Sequence, residues 1–164
     1  MQTMSSVLRR AAVSGSSASL ASTAALLHGG AKDCSAALAP VNAVSHWIWK
    51  GKALRQRKAS LRYSATGYAI HHLASIFWAL CYERMAGPRG ANAGPGRAVA
   101  VAGAVAFTAC VADLCCIPER LTPGFERRLG RGALGLVYSA FGAGLAMHSL
   151  LFRADGAGGR RRQR

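Results

Sequence analysis

Formal charge disappears from this chain four times for about the length of a bilayer crossing, and Lys, Arg, Asp and Glu collect between the gaps. A hydrocarbon core about 30 Å thick takes about 20 helical residues to cross. Residues 132–152 meet that test most cleanly, uncharged throughout between Arg131 and Arg153. Residues 63–82 carry Ile70, Leu73, Ile76, Phe77, Trp78 and Leu80 inside, with Tyr63, Tyr68 and Tyr82 toward the ends, where interfacial aromatics belong. Residues 98–117 stay apolar from Ala98, pass over Asp113 and close before Pro118 and Glu119. The run 11–31 is uncharged but carries Ser14, Ser16, Ser17, Ser19, Ser22 and Thr23. A span tolerates hydroxyls that back-bond to their own helix and pack against protein. A cleaved signal peptide starting at Arg9 and Arg10 is the competing reading, and the serines that interrupt its apolar run count against it. The pattern predicts an all-α integral membrane bundle of four transmembrane helices, forming one membrane domain over residues 1–152.

The connecting segments carry signals of their own. Over 40–54, Pro40 suits a first helical position, Val41, Val44, Trp47 and Ile48 share a face, and Lys50, Lys52, Arg55, Arg57 and Lys58 follow or interleave. This predicts an amphipathic helix lying at the interface, since 34–49 is too short and polar for a span. Residues 86–97, AGPRGANAGPGR, predict a hairpin turn. In PERLTPGFERRLGR at 118–131, Thr122 is placed to cap a short turn that sets Phe125 and Leu129 toward the membrane and Arg127 and Arg128 toward water. The Gly- and Arg-rich stretch 153–164 reads as a disordered basic tail. Helix contacts are expected along Ala98, Ala102, Ala106 and Cys110 and along Gly135, Ser139 and Ala143, because small residues let helices approach where lipid supplies no hydrophobic drive.

Composition agrees with this picture: 51% of residues are apolar and 16% charged. The net charge of +15 would suggest nucleic acid if the bases formed a stripe. They bracket apolar runs instead, so anionic lipid headgroups are the expected partner, with a second copy or a membrane partner on the small-residue stripes and no nucleic acid. With four spans the basic residues divide ten against eleven between the two sides, so charge does not fix orientation.

Chemistry has to come from polar groups inside the spans, which are His71, His72, Asp113 and His148. No hydrolase elbow, phosphate loop, dinucleotide fingerprint or H-E-x-x-H occurs, which points away from an enzyme and from a bound cofactor. An acid at mid-helix costs about 2.5 to 3.5 kcal/mol on insertion scales and seeks a partner. A hairpin of 63–82 with 98–117 places His71 about 12 Å and Asp113 about 6 Å from the same side, so the two are expected to meet. His28, His46, Cys115 and Cys116 fall on that side as well. His46, His71, Asp113, Cys115 and Cys116 are thus the candidate ligands of a metal or proton site, in a small transporter for example. A structural pairing is the preferred reading, because the spacings match no ligand signature and His71 and His72 diverge by about 100° around a helix. The five cysteines form no C-x-x-C, and no two histidines pair at matching depth to hold haem.

The segments APVNAVSHWIW (39–49), SLRYSATGYAIHHLASIFWA (60–79) and PERLTPGFERRL (118–129) resemble a group of small, uncharacterised proteobacterial membrane proteins with about four spans. The resemblance covers roughly residues 39–150. It implies a multi-pass location in the bacterial inner membrane and brings no activity, substrate or catalytic residue.

Overall fold

A computed structural model describes the backbone of residues 3–87 and 94–161, with side chains for all of these except 148 and 152–161. The described residues are helical with no strand. Four long helices coincide with the four charge-free runs: α1 (Met4–Cys34), α5 (Thr66–Ala86), α6 (Pro95–Val111) and α7 (Arg131–Arg161). Three short ones, α2 (Ala39–Val44), α3 (His46–Trp49) and α4 (Gly51–Leu54), lie between α1 and α5. A π-helical turn, Leu61–Ala65, leads into α5, and another, Ala112–Cys116, ends α6. Proline opens α6 where its missing N–H costs nothing. Two helical segments, Pro95–Cys116 and Arg131–Leu151, are long and apolar enough to cross a membrane.

Pairwise contacts fix the topology. Ser22 meets His71 and Arg10 meets Glu83, so α1 and α5 run antiparallel. A Cβ on Gly144 would fall 2.5 Å from Ala18 Cα, and one on Gly29 3.0 Å from Ala133 Cβ, which sets α7 antiparallel to α1. Gly142 lies on Ala106 while Tyr138 reaches Asp113, which sets α6 antiparallel to α7. The result is an up-down-up-down ring of α1, α5, α6 and α7, with α5 and α6 the most loosely packed pair of neighbours.

Small residues carry the close approaches, as expected for α6, where Ala98, Ala102 and Ala106 are buried. The expectation fails for α7. Gly135, Ser139 and Ala143 face outward, and the inner face is Val137, Tyr138, Phe141, Gly142, Gly144 and Leu145. Spacing by four marks a stripe on a helix without saying which side the neighbours occupy. In α7 the close-packed glycines belong to two different neighbours, Gly144 to α1 and Gly142 to α6. The backbone of α7 also continues past Phe152 to Arg161, through residues expected to be irregular.

The largest departure is at 39–54. A single interfacial helix is expected, and the chain forms three pieces, broken at Ser45 and at Lys50, whose φ is 51°. All of α2 is buried, together with Ser45 and His46. It wedges into the end of the bundle, where Gly30 of α1, Gly67 of α5 and Gly124 admit its backbone. A side chain on Gly30 would strike Pro40 Cδ at 2.6 Å, and one on Gly67 would strike the Val41 carbonyl. Asn42 is fully buried and both ends of its amide are used. Its Nδ2 donates to Lys58 O at 3.0 Å, and its Oδ1 accepts from Ser64 Oγ at 2.6 Å. Phe125 and Leu129 are likewise buried in the core rather than turned to the membrane. Thr122 donates back to Glu119 O, so it does not cap the turn that follows at Phe125–Arg127.

If wedge burial depends on the missing side chain, Gly67→Ala lowers thermal stability in mild detergent by about 1–3 kcal/mol through overpacking. Gly51→Ala, with open space around it, changes stability by less than about 0.5 kcal/mol. Equal melting of both variants would remove the wedge as a determinant of the fold.

Candidate functional site

The wedge, the loosely packed α5–α6 seam and the segment after α6 enclose a cavity of about 510 Å³. Its walls are apolar and aromatic. Val44 and Trp47 come from the 39–49 segment, Leu73, Phe77 and Trp78 from α5, Phe125 from the 118–131 connection and Phe141 from α7. Trp47 is held in place by its Nε1–H, which donates to Thr122 O at 2.8 Å. Five polar side chains stand in this lining, Ser22, His71, Ser75, Asp113 and Tyr138, and Ser75 Oγ is satisfied by the His71 carbonyl of its own helix.

His71 and Asp113 therefore do share a site, but each has a partner other than the one expected. Tyr138 Oη donates to Asp113 Oδ2 at 3.0 Å. His71 Nε2 lies 2.9 Å from Ser22 Oγ, and that hydroxyl is also 2.7 Å from Ala18 O. A carbonyl only accepts, so the single serine proton goes to Ala18, and the imidazole Nε2–H donates to Ser22. Phe125 stands between the two pairs, with ring centroids 6.4 Å from His71 and 6.2 Å from Tyr138. Sequence spacing places His71 and Asp113 toward the same end of the bundle and carries no information about rotation. In the sequence Ser22 is one of several hydroxyls on its run, and the signal for Tyr138 is that a tyrosine at mid-run needs a hydrogen-bond partner once buried.

His72 diverges from His71 as its neighbouring position dictates, stacking on Tyr68 at 5.7 Å. His46 donates Nδ1–H to Ala43 O at 3.0 Å within the wedge. Cys115 and Cys116 are exposed on the π-helical turn, and so is His28 on α1. Among the described residues no three His, Cys, Asp or Glu side chains gather into a group able to hold a metal ion. The five candidate ligands His46, His71, Asp113, Cys115 and Cys116 are thus dispersed over wedge, cavity and outer surface. The side chain of His148 lies outside the described residues, as does the 88–93 part of the expected hairpin turn.

No protein-family profile, curated protein or solved structure matches the chain. The site has to be read from its own chemistry.

A second polar contact escaped the sequence reading altogether. Arg10 Nε lies 3.1 Å from Glu83 Oε2, with the Glu83 side chain 6% exposed, at the end of the bundle away from the wedge. The two charges stand just outside two separate apolar runs, and only the antiparallel pairing of α1 with α5 brings them together. Removing one partner of such a pair leaves a buried charge uncompensated.

A double-mutant cycle separates the observed pairing from the expected one. Asp113→Ala combined with Tyr138→Phe should be non-additive in melting stability by about 0.5–1.5 kcal/mol. Asp113→Ala combined with His71→Ala should add within about 0.5 kcal/mol. Coupling confined to the His71 cycle would contradict the geometry.

Proposed function

We propose that this is a non-enzymatic, multi-pass protein of the bacterial inner membrane, with all four long helices crossing the bilayer. The observation that carries this reading is the distribution of side chains, which is inverted relative to a soluble bundle. Serine, alanine and glycine make up most of the interior of α1, with Val7 and Leu26 beside them; Ser14, Ser19 and Ser22 are fully buried while Leu8, Val13 and Leu20 point outward. Leu73 and Phe77 on α5, Val99 and Phe107 on α6 and Leu136 and Met147 on α7 are exposed in the same way. In water this arrangement spends burial on the residues that gain least from it. In lipid the same arrangement is favourable, because packing of small residues and internal hydrogen bonds drive helix association there. Two of these interior hydroxyls are served from within their own helix, Ser14 Oγ donating to Arg10 O and Ser22 Oγ to Ala18 O.

Edges of the bundle fit the same frame. The Arg62 guanidinium lies 4.1 Å over the Trp49 ring, and Trp49 Nε1 donates to Arg62 O, an aromatic and basic border of interfacial type. The outward stripe Gly135, Ser139 and Ala143 leaves α7 with a face on which a second membrane helix fits closely, which supports the role of a small accessory component. The resemblance noted over 39–150 supports the inner membrane as the location.

Reporter fusions after Arg57 and after Arg164 test the span count, because four crossings put the 32–62 segment on the side opposite both termini. Opposite signals are expected. Identical signals would require an even number of crossings between the two points and overturn the four-span reading. In a variant lacking the native cysteines, Ala104→Cys on the outer face of α6 should resist an impermeant maleimide in intact membranes and react after solubilisation in denaturant.

A further inference from the structure

We propose that the cavity between α5 and α6 binds a lipophilic organic cation, with Asp113 as its counter-charge and the aromatic walls as its cradle. The chain carries 21 Lys and Arg residues against six acids, yet among the described residues no Lys or Arg lines this cavity and Asp113 does. The site therefore has the opposite sign to the molecule that surrounds it. Trp47, Phe77, Trp78, Phe125, Tyr138 and Phe141 all contribute rings to its lining. Ring faces attract cations, by about 2 kcal/mol or more when the charge is desolvated. An anion would meet the carboxylate with no Lys or Arg among the lining residues to offset it, and a neutral hydrocarbon would leave Asp113 without a counter-charge. Tyr138 donates to one carboxylate oxygen and holds the group in position. The five-residue π-helical turn Ala112–Cys116 carries Asp113, a local widening of the helix of the kind common at functional sites. A volume of about 510 Å³ suits a compact organic molecule. Leu73 and Phe77 line the cavity and are also 66% and 57% exposed on the outer face of α5, so the cavity is reached from the side that lipid covers.

The probe pair is tetraphenylphosphonium and tetraphenylborate, nearly equal in shape and opposite in charge, titrated into the purified full chain in nanodiscs while the fluorescence of Trp47 and Trp78 is followed. Saturable binding of the phosphonium is expected. Asp113→Asn should weaken it by about tenfold or more, equivalent to about 1.4 kcal/mol, and Asp113→Glu should keep it within about threefold of the parent chain. Phe77→Leu, which keeps an apolar side chain and removes the ring, should weaken it by about threefold. The proposal is overturned if the parent chain shows no saturable phosphonium binding, if tetraphenylborate competes as well as the phosphonium, or if a folded Asp113→Asn variant binds within twofold of the parent. The borate comparison uses the parent chain alone and decides the matter even where the asparagine variant does not fold. Failure of binding leaves the four-span reading intact, because that reading is tested by the reporter fusions.

Discussion

The rest of the structure depends on a buried turn of backbone, the wedge at Ala39–Val44, being accepted into the end of a helical bundle. Buried peptide groups must be hydrogen-bonded, and a short helix satisfies only some of its own. Here Asn42 N–H bonds Leu38 O and Ser45 N–H bonds Asn42 O, while the Asn42 side chain ties the wedge to Lys58 and Ser64. Steric room comes from Gly30, Gly67 and Gly124, each set where a Cβ would collide with wedge atoms. Gly124 has the further requirement of a φ of +85°, a conformation costly to any residue with a side chain. These contacts come from α1, α5 and the segment before α7, so one short element sets the relative placement of three others. The cavity follows from it, because Val44 and Trp47 form part of its wall.

Away from the wedge, the bundle is held by close contact of small residues and by a few buried polar pairs. Gly15 sits against Ile76, Gly144 against Ala18 and Gly142 against Ala106. Ser22 with His71, Tyr138 with Asp113, Tyr82 Oη with Ser149 Oγ at 2.9 Å and Arg10 with Glu83 each join two different long helices. Such pairs add direction to contacts that are otherwise nonspecific, since a helix of alanines and glycines packs nearly as well after a small rotation or slip. In a low-dielectric surrounding, misaligned partners leave unsatisfied polar groups, which is costly. The polar pairs thus select the register that the small residues merely permit.

The positions of the four long helices were legible because charge is absent from them and present between them, a one-dimensional signal that needs no neighbour. The rotation of each helix was less legible. In α6 the spacing by four through Ala98, Ala102 and Ala106 does fall on the buried face, although Ala100, Gly103 and Ala104 lie on the exposed one. In α7 glycine and alanine occur all round the helix, so the stripe through Gly135 could not be distinguished from the face through Gly142 and Gly144. The wedge was misread for a different reason. Val41, Val44, Trp47 and Ile48 do fall at helical spacing, but Trp47 and Ile48 are exposed while Val41 and Val44 are buried, because the chain turns between them at Ser45. Periodicity describes one continuous helix and has no term for a break whose stability comes from glycines 15 residues before and more than 20 after. The site was half legible: depth counting placed His71 and Asp113 toward the same side, and their true partners Ser22 and Tyr138 depended on helix rotation.

What distinguishes Asp113 from the other polar groups is that its surroundings leave its charge unanswered. Arg10 and Glu83 form an ion pair. Ser22 and His71 complete one another as neutral donor and acceptor. Asp33 accepts the N–H of Gly130 at 2.8 Å near the exposed end of α1, where water and the backbone share the load. Asp113 receives one neutral hydrogen bond, from Tyr138, in a setting of aromatic rings and aliphatic side chains. A phenol orients a carboxylate without neutralising it, and a purely structural requirement at this position would be met by an asparagine with no charge to desolvate. An acid retained in that setting is not accounted for by packing, and it stands where the helix widens into a π turn beside an open volume.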